Sequence, residues 1–195
     1  MFKTIILAGV VAAALLLYIT LSLYVFPQMY KSIEPRRPEA VIRDVSLSTP
    51  AIRLGQTFVI SVTGTNRGEE ADMQIVSVGF PNLTRADNMD VLEHNFTQTP
   101  ILINTSEVIG SEYSGTQRPV HARYPSVEAF SRPWAGGNTY NIDLQVRPEA
   151  EGRFVVLVKS VAFPHSWDGA HWPKDGVIDY QKELVEPYYV QVTKP

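Results

Sequence analysis

The apolar amino terminus constrains this chain more than any other feature. From Ile5 to Phe26 about 22 consecutive residues carry no charge, and as an α-helix such a stretch is about 33 Å long. The hydrocarbon core of a bilayer is about 30 Å thick. The stretch therefore predicts a transmembrane helix over residues 5–26, with residues 1–4 as a short cytoplasmic amino terminus.

A cleaved signal peptide is the alternative interpretation, because Lys3 supplies the basic residue that precedes such segments. The apolar core of a signal peptide is about 7–15 residues long and is followed by a small-x-small cleavage site. Here the apolar stretch runs into Val25-Phe26-Pro27-Gln28, which has no such site. We therefore expect an uncleaved signal anchor with a single pass through the plasma membrane.

Small residues lie four positions apart within this stretch. Ala8 and Ala12 form one such pair, and Gly9 and Ala13 form the other. Each pair shares a helix face and would let a neighbouring transmembrane helix approach closely. Alanine and glycine are also frequent in membrane helices generally, so a helix without a neighbour remains the alternative.

Three sequons of the glycosylation type favour an extracytoplasmic location for the rest of the chain. They begin at Asn82, Asn95 and Asn104, in a polar stretch typical of surface loops. We expect the carboxy-terminal domain to lie outside the cell membrane, at the cell surface, with these asparagines as candidate glycosylation sites. Chance occurrence of a short pattern is the alternative.

Beyond the anchor, the pattern changes to that of a β-domain. Residues 27–40 combine prolines with alternating charges and predict an extended stalk. Alternation of apolar and polar residues then predicts strands over 41–47, 56–65, 72–80, 139–146, 153–163 and 188–193. No helical periodicity follows residue 30. We expect an all-β, immunoglobulin-like sandwich of about seven or eight strands over residues 41–195.

The middle of this domain is less regular. Residues 81–138 hold five of the 14 prolines and are largely polar. Only 91–96 and 101–109 have the composition of short strands. We interpret 81–138 as an insertion in the sandwich.

The segments 50–62 and 64–68, Pro-Ala-Ile-Arg-Leu-Gly-Gln-Thr-Phe-Val-Ile-Ser-Val and Gly-Thr-Asn-Arg-Gly, resemble the opening of CARDB-type immunoglobulin-like domains. The later Val146-x-Pro148 turn, with Gly152 and Phe154, is similar to the part of such modules that contains strands E and F. These domains occur in prokaryotic, including archaeal, membrane-anchored surface proteins. The resemblance covers 41–80 and 139–193 and implies a sandwich fold with a role in adhesion, surface assembly or spacing.

Composition argues against several classes of function. The 17 basic and 20 acidic residues give a net charge of −3 without a dense basic run, which disfavours a nucleic-acid partner. Cysteine is absent, which excludes disulfides, thiolate nucleophiles and cysteine-ligated metals. Residues 110–115 do not form a Gly-x-Ser-x-Gly elbow. We expect no enzymatic activity and no cofactor.

The segment 164–179 is rich in residues that bind metals or partners. His165, Asp168 and His171 could ligate a divalent metal, although their spacing matches no established metal motif. Trp167 and Trp172, with Trp134 elsewhere in the chain, could form a recognition surface instead. In a third interpretation the tryptophans fold back as a lid over one end of the sandwich.

These observations favour a membrane-anchored extracytoplasmic binding or scaffold module that mediates protein–protein contact. One alternative is an accessory single-span subunit of a larger membrane complex, such as a metalloenzyme. The other is a metal-binding β-sandwich domain. The sequence identifies neither the partner nor the oligomeric state.

Overall fold

The computed structural model describes residues 12–22, 36–110, 120–165 and 170–195. The chain divides into two units, Met1–Pro35 and Arg36–Pro195. Of the first unit, residues 12–20 form an α-helix that continues into π-helical residues 21–22. Within the described ranges, no helix reaches the length and apolar character needed to cross a membrane.

The predicted helix-packing residues are divided between described and undescribed positions. Ala12 and Ala13 lie on the helix and are exposed, whereas Ala8 and Gly9 lie outside the described residues. The hydroxyl of Thr20 donates a hydrogen bond of 2.8 Å to the carbonyl of Leu16, so its polar atom has a partner inside the helix.

The second unit is mostly β-sheet, as the alternating pattern predicts. A 3₁₀ turn spans Ala86–Asn88. Its strands in the described ranges are β1 (Ala40–Leu47), β2 (Ala51–Arg53), β3 (Phe58–Asn66), β4 (Met73–Gly79), β5 (Met89–His94), β6 (Ile101–Ile103), β7 (Val108–Ile109), β8 (Val120–His121), β9 (Ser126–Ser131), β10 (Thr139–Val146), β11 (Gly152–Phe163), β12 (Val177–Ile178) and β13 (Leu184–Thr193).

Two sheets make a sandwich-like arrangement. One has the strand order β1-β3-β10-β5, and the other has the order β12-β13-β11-β4-β9-β6, with β2 paired to β13. β7 and β8 pair separately. Alternate residues of β3 and β11, such as Ile60 and Val156, are fully buried in the core that the sheets share. Period-two burial of apolar side chains therefore holds the two layers together.

Most of the predicted strands are confirmed, with small shifts at their ends. The segments 41–47, 56–65, 72–80, 139–146 and 153–163 correspond to β1, β3, β4, β10 and β11. The segment 101–109 contains two short strands, β6 and β7, and β13 begins at Leu184 rather than at residue 188. The strand count exceeds the expected seven or eight because β2, β8, β9 and β12 add to it.

Residues 81–138, which we expected to be an insertion, contribute strands to both sheets. β5 pairs with β10 in the first sheet, and β9 lies between β4 and β6 in the second. Val127 and Ala129 of β9 are buried in the core. β9 escaped detection because it is short and carries Glu128 and two serines among its apolar residues.

The last residues of the expected stalk are bonded to the β-domain. The carbonyls of Arg37 and Glu39 accept hydrogen bonds from the amides of Glu69 and Arg67, at 3.1 and 2.9 Å. Arg36 forms an ion pair of 2.8 Å with Asp72. Residues 36–39 therefore extend β1, and the rest of the predicted stalk, 27–35, lies outside the described residues.

β1 is an end strand of its sheet and carries a bulge. Its register with β3 shifts between Ile42 and Asp44, which leaves Arg43 as the extra residue. In the sequence, Arg43 interrupts the apolar series that Val41, Val45 and Leu47 form at alternate positions. Bulges and charges are common on end strands, where they discourage pairing with other chains.

Candidate functional site

A groove opens between one edge of each sheet, and we call it the β1 groove. Its volume is about 510 Å³. The β1 groove is lined by Arg37, Pro38, Glu39, Ala40, Val41, Ile42, Arg67, His171, Trp172, Pro173, Lys174, Asp175 and Glu186. The first wall is residues 37–42, which belong to β1 and its lead-in; the second is residues 171–175, beside β13.

The first wall is held against β3 by a close backbone approach. A Cβ on Gly68 would lie 2.2 Å from the carbonyl oxygen of Arg37, so only glycine fits at this position. Asn66 adds a further link, because its Oδ1 accepts a hydrogen bond of 2.9 Å from the amide of Glu39. This wall is therefore fixed by main-chain geometry.

The second wall is anchored to the far end of β11. His171 and Ala162 exchange two main-chain hydrogen bonds, at 3.0 and 2.6 Å, and form an isolated antiparallel bridge. Trp172 follows directly, with 43% of its surface exposed. An exposed tryptophan next to a fixed backbone is a typical interface anchor, because it offers a large apolar area and a polar N–H.

Charges around the groove are balanced. The cationic lining residues are Arg37, Arg67 and Lys174, and the anionic ones are Glu39, Asp175 and Glu186. Leaving the histidine aside, the two signs are equal in number. The lining therefore carries no net formal charge apart from that of the histidine.

A buried ion network lies beside the second wall. It joins Lys159 of β11 to residues 170–183, which we call the strap. The Lys159 ammonium contacts the Glu183 carboxylate, donates a hydrogen bond of 2.9 Å to Gln181 Oε1 and lies 3.8 Å from Asp179 Oδ2. The side chains of Lys159 and Asp179 are only 12% and 1% exposed.

Asp179 also shapes the strap. Its Oδ1 accepts hydrogen bonds from the amides of Gln181 and Glu183, at 2.7 and 3.0 Å. An aspartate that binds main-chain amides two and four residues ahead fixes a tight turn. The turn holds Gln181 and Glu183, the other two strap partners of Lys159, in place.

More negative than positive charge surrounds Lys159. This charge and burial together shift the pKa values of Lys159 and Glu183. Burial raises the pKa of Glu183, although Lys159 opposes this shift. Burial would lower the pKa of Lys159, but Glu128, Glu183 and Asp179 outweigh it and raise that pKa above its ordinary value. On β9, Glu128 accepts a hydrogen bond of 2.7 Å from the hydroxyl of Ser77.

Two tyrosines cover the network. The rings of Tyr124 and Tyr180 pack edge to face, 5.1 Å apart, and Arg123 lies 5.2 Å from the centre of the Tyr180 ring. Burial raises the pKa of both phenols. The space between the tyrosines and the network measures about 10 Å³, so it holds nothing larger than a water molecule. We conclude that the network is structural and that the β1 groove is the candidate binding site.

The predicted metal ligands are not brought together by the described residues. His165 is buried, with its Nδ1 3.8 Å from Oδ2 of Asp72. His171 lies on the groove wall, and Asp168 is outside the described residues. In the described ranges, no group of three or more histidine or carboxylate side chains could hold a metal ion.

The three tryptophans have different environments. Trp172 is exposed on the groove wall, and Trp167 lies outside the described residues. The prediction that Trp134 contributes to a recognition surface is wrong, because its exposed fraction is 0%. Its ring packs edge to face against Tyr140 at 4.6 Å, and its Nε1 donates a hydrogen bond of 3.0 Å to the carbonyl of Asn138.

The sequon asparagines take part in hydrogen bonds. Asn82 and Asn95 are exposed, and each Oδ1 accepts a main-chain hydrogen bond of 2.7 Å, from Val155 and Asn141. Asn104 is half-buried, with its Nδ2 3.2 Å from Oε1 of Glu107. Each side chain therefore has a structural role, whether or not the residue is modified.

Sequence reasoning missed the ion network. Lys159 was a detectable signal, because it is one cation in the otherwise largely apolar strand 154–162. Its partners in the strap could not be identified, since their approach depends on the path of the chain after β11.

No family model matches the chain, and no curated protein matches it. Solved structures that are similar to it include a cohesin module of a family 33 glycoside hydrolase from Clostridium perfringens, with 9% identity and a TM-score of 0.36. That match covers 83% of this chain and 100% of the module.

Two further solved structures are similar over most of this chain. A protein described as membrane anchored, from Corynebacterium diphtheriae, matches with 10% identity and a TM-score of 0.40, over 83% of this chain and 36% of that one. A β-glucosidase from Erythrobacter marinus matches with 10% identity and a TM-score of 0.38, over 80% of this chain. The match spans only 16% of the β-glucosidase.

Proposed function

We propose that this chain is a membrane-anchored, extracytoplasmic module that binds another protein through the β1 groove. The observation that carries the proposal is the groove itself, which opens between two sheet edges and has the exposed Trp172 on one wall. Its volume of about 510 Å³ lies within the range of about 300–1,000 Å³ that is typical of ligand sites.

The lining residues favour binding over catalysis. The described lining residues include His171, Lys174 and three carboxylates, but no serine, threonine, tyrosine or cysteine. Lys159, Glu183, Tyr124 and Tyr180, whose pKa values are raised, belong to the ion network or cover it, whereas Tyr188, whose pKa is also raised by burial, donates a hydrogen bond of 2.7 Å to Glu186 of the groove lining. A groove of this kind is suited to recognition.

The uncharged residues 5–26 support the anchor. An immunoglobulin-like domain of the CARDB type agrees with the two-layered β-architecture and with a surface role. A protein held at a membrane surface by one helix is well placed to recruit or space a partner.

Site-specific photocrosslinking in native membranes tests this function. A photoreactive amino acid is placed at position 172 of the full chain, and in a matched control at Leu92, which is 53% exposed on β5 at the other end of the first sheet. We expect position 172 to give a covalent adduct with one protein, and the control position to give none.

The same cells test the anchor. We expect the chain to remain in the membrane fraction after alkaline carbonate washing, and an external protease to cut the β-domain in intact cells. Release by carbonate, protection from protease, or equal adducts from positions 172 and 92 would contradict the proposal.

A further inference from the structure

We infer that the β-domain carries N-linked glycans on Asn82 and Asn95, and that Asn104 is left unmodified. All three residues begin sequons. The inference rests on the extracytoplasmic location in the proposed function and goes beyond it by assigning two modification sites. It depends on the burial pattern of each sequon, on the hydrogen bonds of each carboxamide and on the room beside each side chain.

Burial alternates along the first two sequons. In residues 82–84, Leu83 is 4% exposed and packs in the core, while its two neighbours are exposed. In residues 95–97, Phe96 is 5% exposed between two exposed neighbours, and its ring packs edge to face against Trp134 at 5.6 Å. A core side chain therefore fixes the backbone of each sequon, and the asparagine and the threonine lie on the solvent side.

The carboxamide of Asn82 uses only its oxygen. Oδ1 accepts a hydrogen bond of 2.7 Å from the amide of Val155, which lies beyond Leu157, where the pairing of β11 with β4 ends. No described residue bonds Nδ2 of Asn82. An N-linked sugar is attached to Nδ2 and leaves Oδ1 able to accept. A glycan on Asn82 therefore preserves the contact with Val155.

Asn95 has the same arrangement at another edge of the domain. Its Oδ1 accepts a hydrogen bond of 2.7 Å from the amide of Asn141, and its own amide donates one of 3.2 Å to the carbonyl of Asn141. Within the described part of the chain, its Nδ2 has no hydrogen-bond partner. Asn95 follows β5 directly, and no described strand pairs with the outer edge of β5. A glycan therefore has room beside this side chain.

Asn104 differs from the other two, because it is half-buried and uses both carboxamide atoms. Its Oδ1 accepts a hydrogen bond of 2.9 Å from the amide of Ala86, and its Nδ2 donates one of 3.2 Å to Oε1 of Glu107. Its own amide donates a hydrogen bond of 2.7 Å to Oε2 of Glu107. A sugar on Nδ2 would crowd the Glu107 carboxylate and disturb these contacts, so the fold does not accommodate a glycan on Asn104.

The two glycans leave the β1 groove open. Neither Asn82 nor Asn95 is among the lining residues. An N-linked glycan is a bulky, solubilising surface group. At these two positions it adds to the surface of the domain without occupying the proposed binding site.

Mass spectrometry of glycopeptides from the full chain, purified from native membranes, tests the inference. Trypsin cuts after Arg85 and so separates Asn82 from the other two sequons. Electron-transfer fragmentation keeps a sugar on its asparagine and therefore distinguishes Asn95 from Asn104. We expect a sugar mass on Asn82 and on Asn95, and the unmodified mass at Asn104.

Substitutions link each glycan to its sequon. Asn82→Gln and Asn95→Gln should each lose one step in gel mobility, and Asn104→Gln should lose none. Thr84→Ser and Thr97→Ser retain their sequons, so these matched controls should keep both glycans. If Asn82→Gln fails to fold because its side-chain hydrogen bond is lost, Thr84→Ala removes the same sequon while Asn82 keeps that bond.

The unmodified mass at Asn82 or at Asn95, or a sugar on Asn104 of the folded chain, would overturn the inference. The protease test of the proposed function separates two causes of unmodified sequons. If an external protease cuts the β-domain in intact cells, the extracytoplasmic location stands and the glycan assignment fails. If the domain is protected, both fail.

Discussion

The ammonium of Lys159 lies 5.8 Å from the centre of the Trp172 ring. One cation thereby contacts the exposed wall of the β1 groove and also neutralises part of the buried carboxylate network. Cation–π contacts at partly exposed sites contribute about 0.5–1 kcal/mol. Trp172 therefore contacts a network that sequence analysis did not detect.

Replacing Lys159 tests how much the ion network contributes to stability. Lys159→Met leaves Asp179 and Glu183 without their cation, so we expect the free energy of unfolding to fall by about 3 kcal/mol. Urea unfolding followed by tryptophan fluorescence measures the change. Lys194→Met, at an exposed position near the carboxy terminus, is the control and should change stability by less than about 0.5 kcal/mol. Equal stability of the two variants would contradict a structural role for the network.

The pH dependence of stability reports on Glu183. Burial raises the pKa of this carboxyl in the folded state, so the folded chain holds the proton more tightly than the unfolded chain does. The contribution of Glu183 to stability should therefore decline as the pH rises above 4.5, its ordinary pKa. Urea titrations at a series of pH values should show this decline in the wild type and a flatter profile in Glu183→Gln. Identical pH profiles for the wild type and Glu183→Gln would contradict a raised pKa of Glu183 in the folded state.

Lys159 gives a second signature at high pH. Its pKa is raised in the folded state because the neighbouring carboxylates outweigh burial, which lowers it. Its stabilising contribution is complete below the unfolded pKa and is lost as the pH rises through the folded value. The wild type should therefore lose stability in alkaline solution relative to Lys159→Met.

Trp134 and Trp172 should respond differently to truncation. Trp134→Ala removes a fully buried ring and should cost about 3–5 kcal/mol, whereas Trp172→Ala should cost less than about 1 kcal/mol. Thermal unfolding monitored by circular dichroism separates the two variants. A larger loss for Trp172→Ala would mean that Trp172 is part of the core.

Gly64 limits how the core packs around Trp134. A Cβ at this position would lie 2.6 Å from Cγ2 of Val76 and 3.3 Å from the Trp134 ring. We expect Gly64→Ala to reduce stability by about 1–3 kcal/mol. In a double-mutant cycle, Val76→Ala should relieve part of this loss. Strict additivity of the two substitutions would contradict the contact.

Much of the β-architecture could be predicted from the sequence, because a strand that is buried on one face alternates apolar and polar residues. β3 and β10 alternate cleanly and were predicted within about two residues. β9 was missed, since Glu128 and its serines conceal the burial of every residue in the strand. Burial of Glu128 depends on Ser77, 51 positions earlier, and local patterns do not report such a contact.

The candidate site was only partly predictable. The density of aromatic residues in 164–179 drew attention to Trp172, which is exposed and lines the β1 groove. The same reasoning failed for Trp134, whose burial depends on the space that Gly64 leaves. The first groove wall, residues 37–42, was interpreted partly as stalk. Hydrogen bonds from the amides of Arg67 and Glu69, which follow β3, hold this proline-containing segment beside the first sheet. These hydrogen bonds can be identified only in the folded structure.

The affinity of the crosslinked partner for purified full-length variants tests the central claim most directly. We expect Trp172→Ala to raise the Kd by at least about tenfold, while Leu92→Ala on the opposite edge of the first sheet leaves it unchanged. Equal Kd values for the wild type and Trp172→Ala, with both proteins folded, would contradict the assignment of the β1 groove as the binding site.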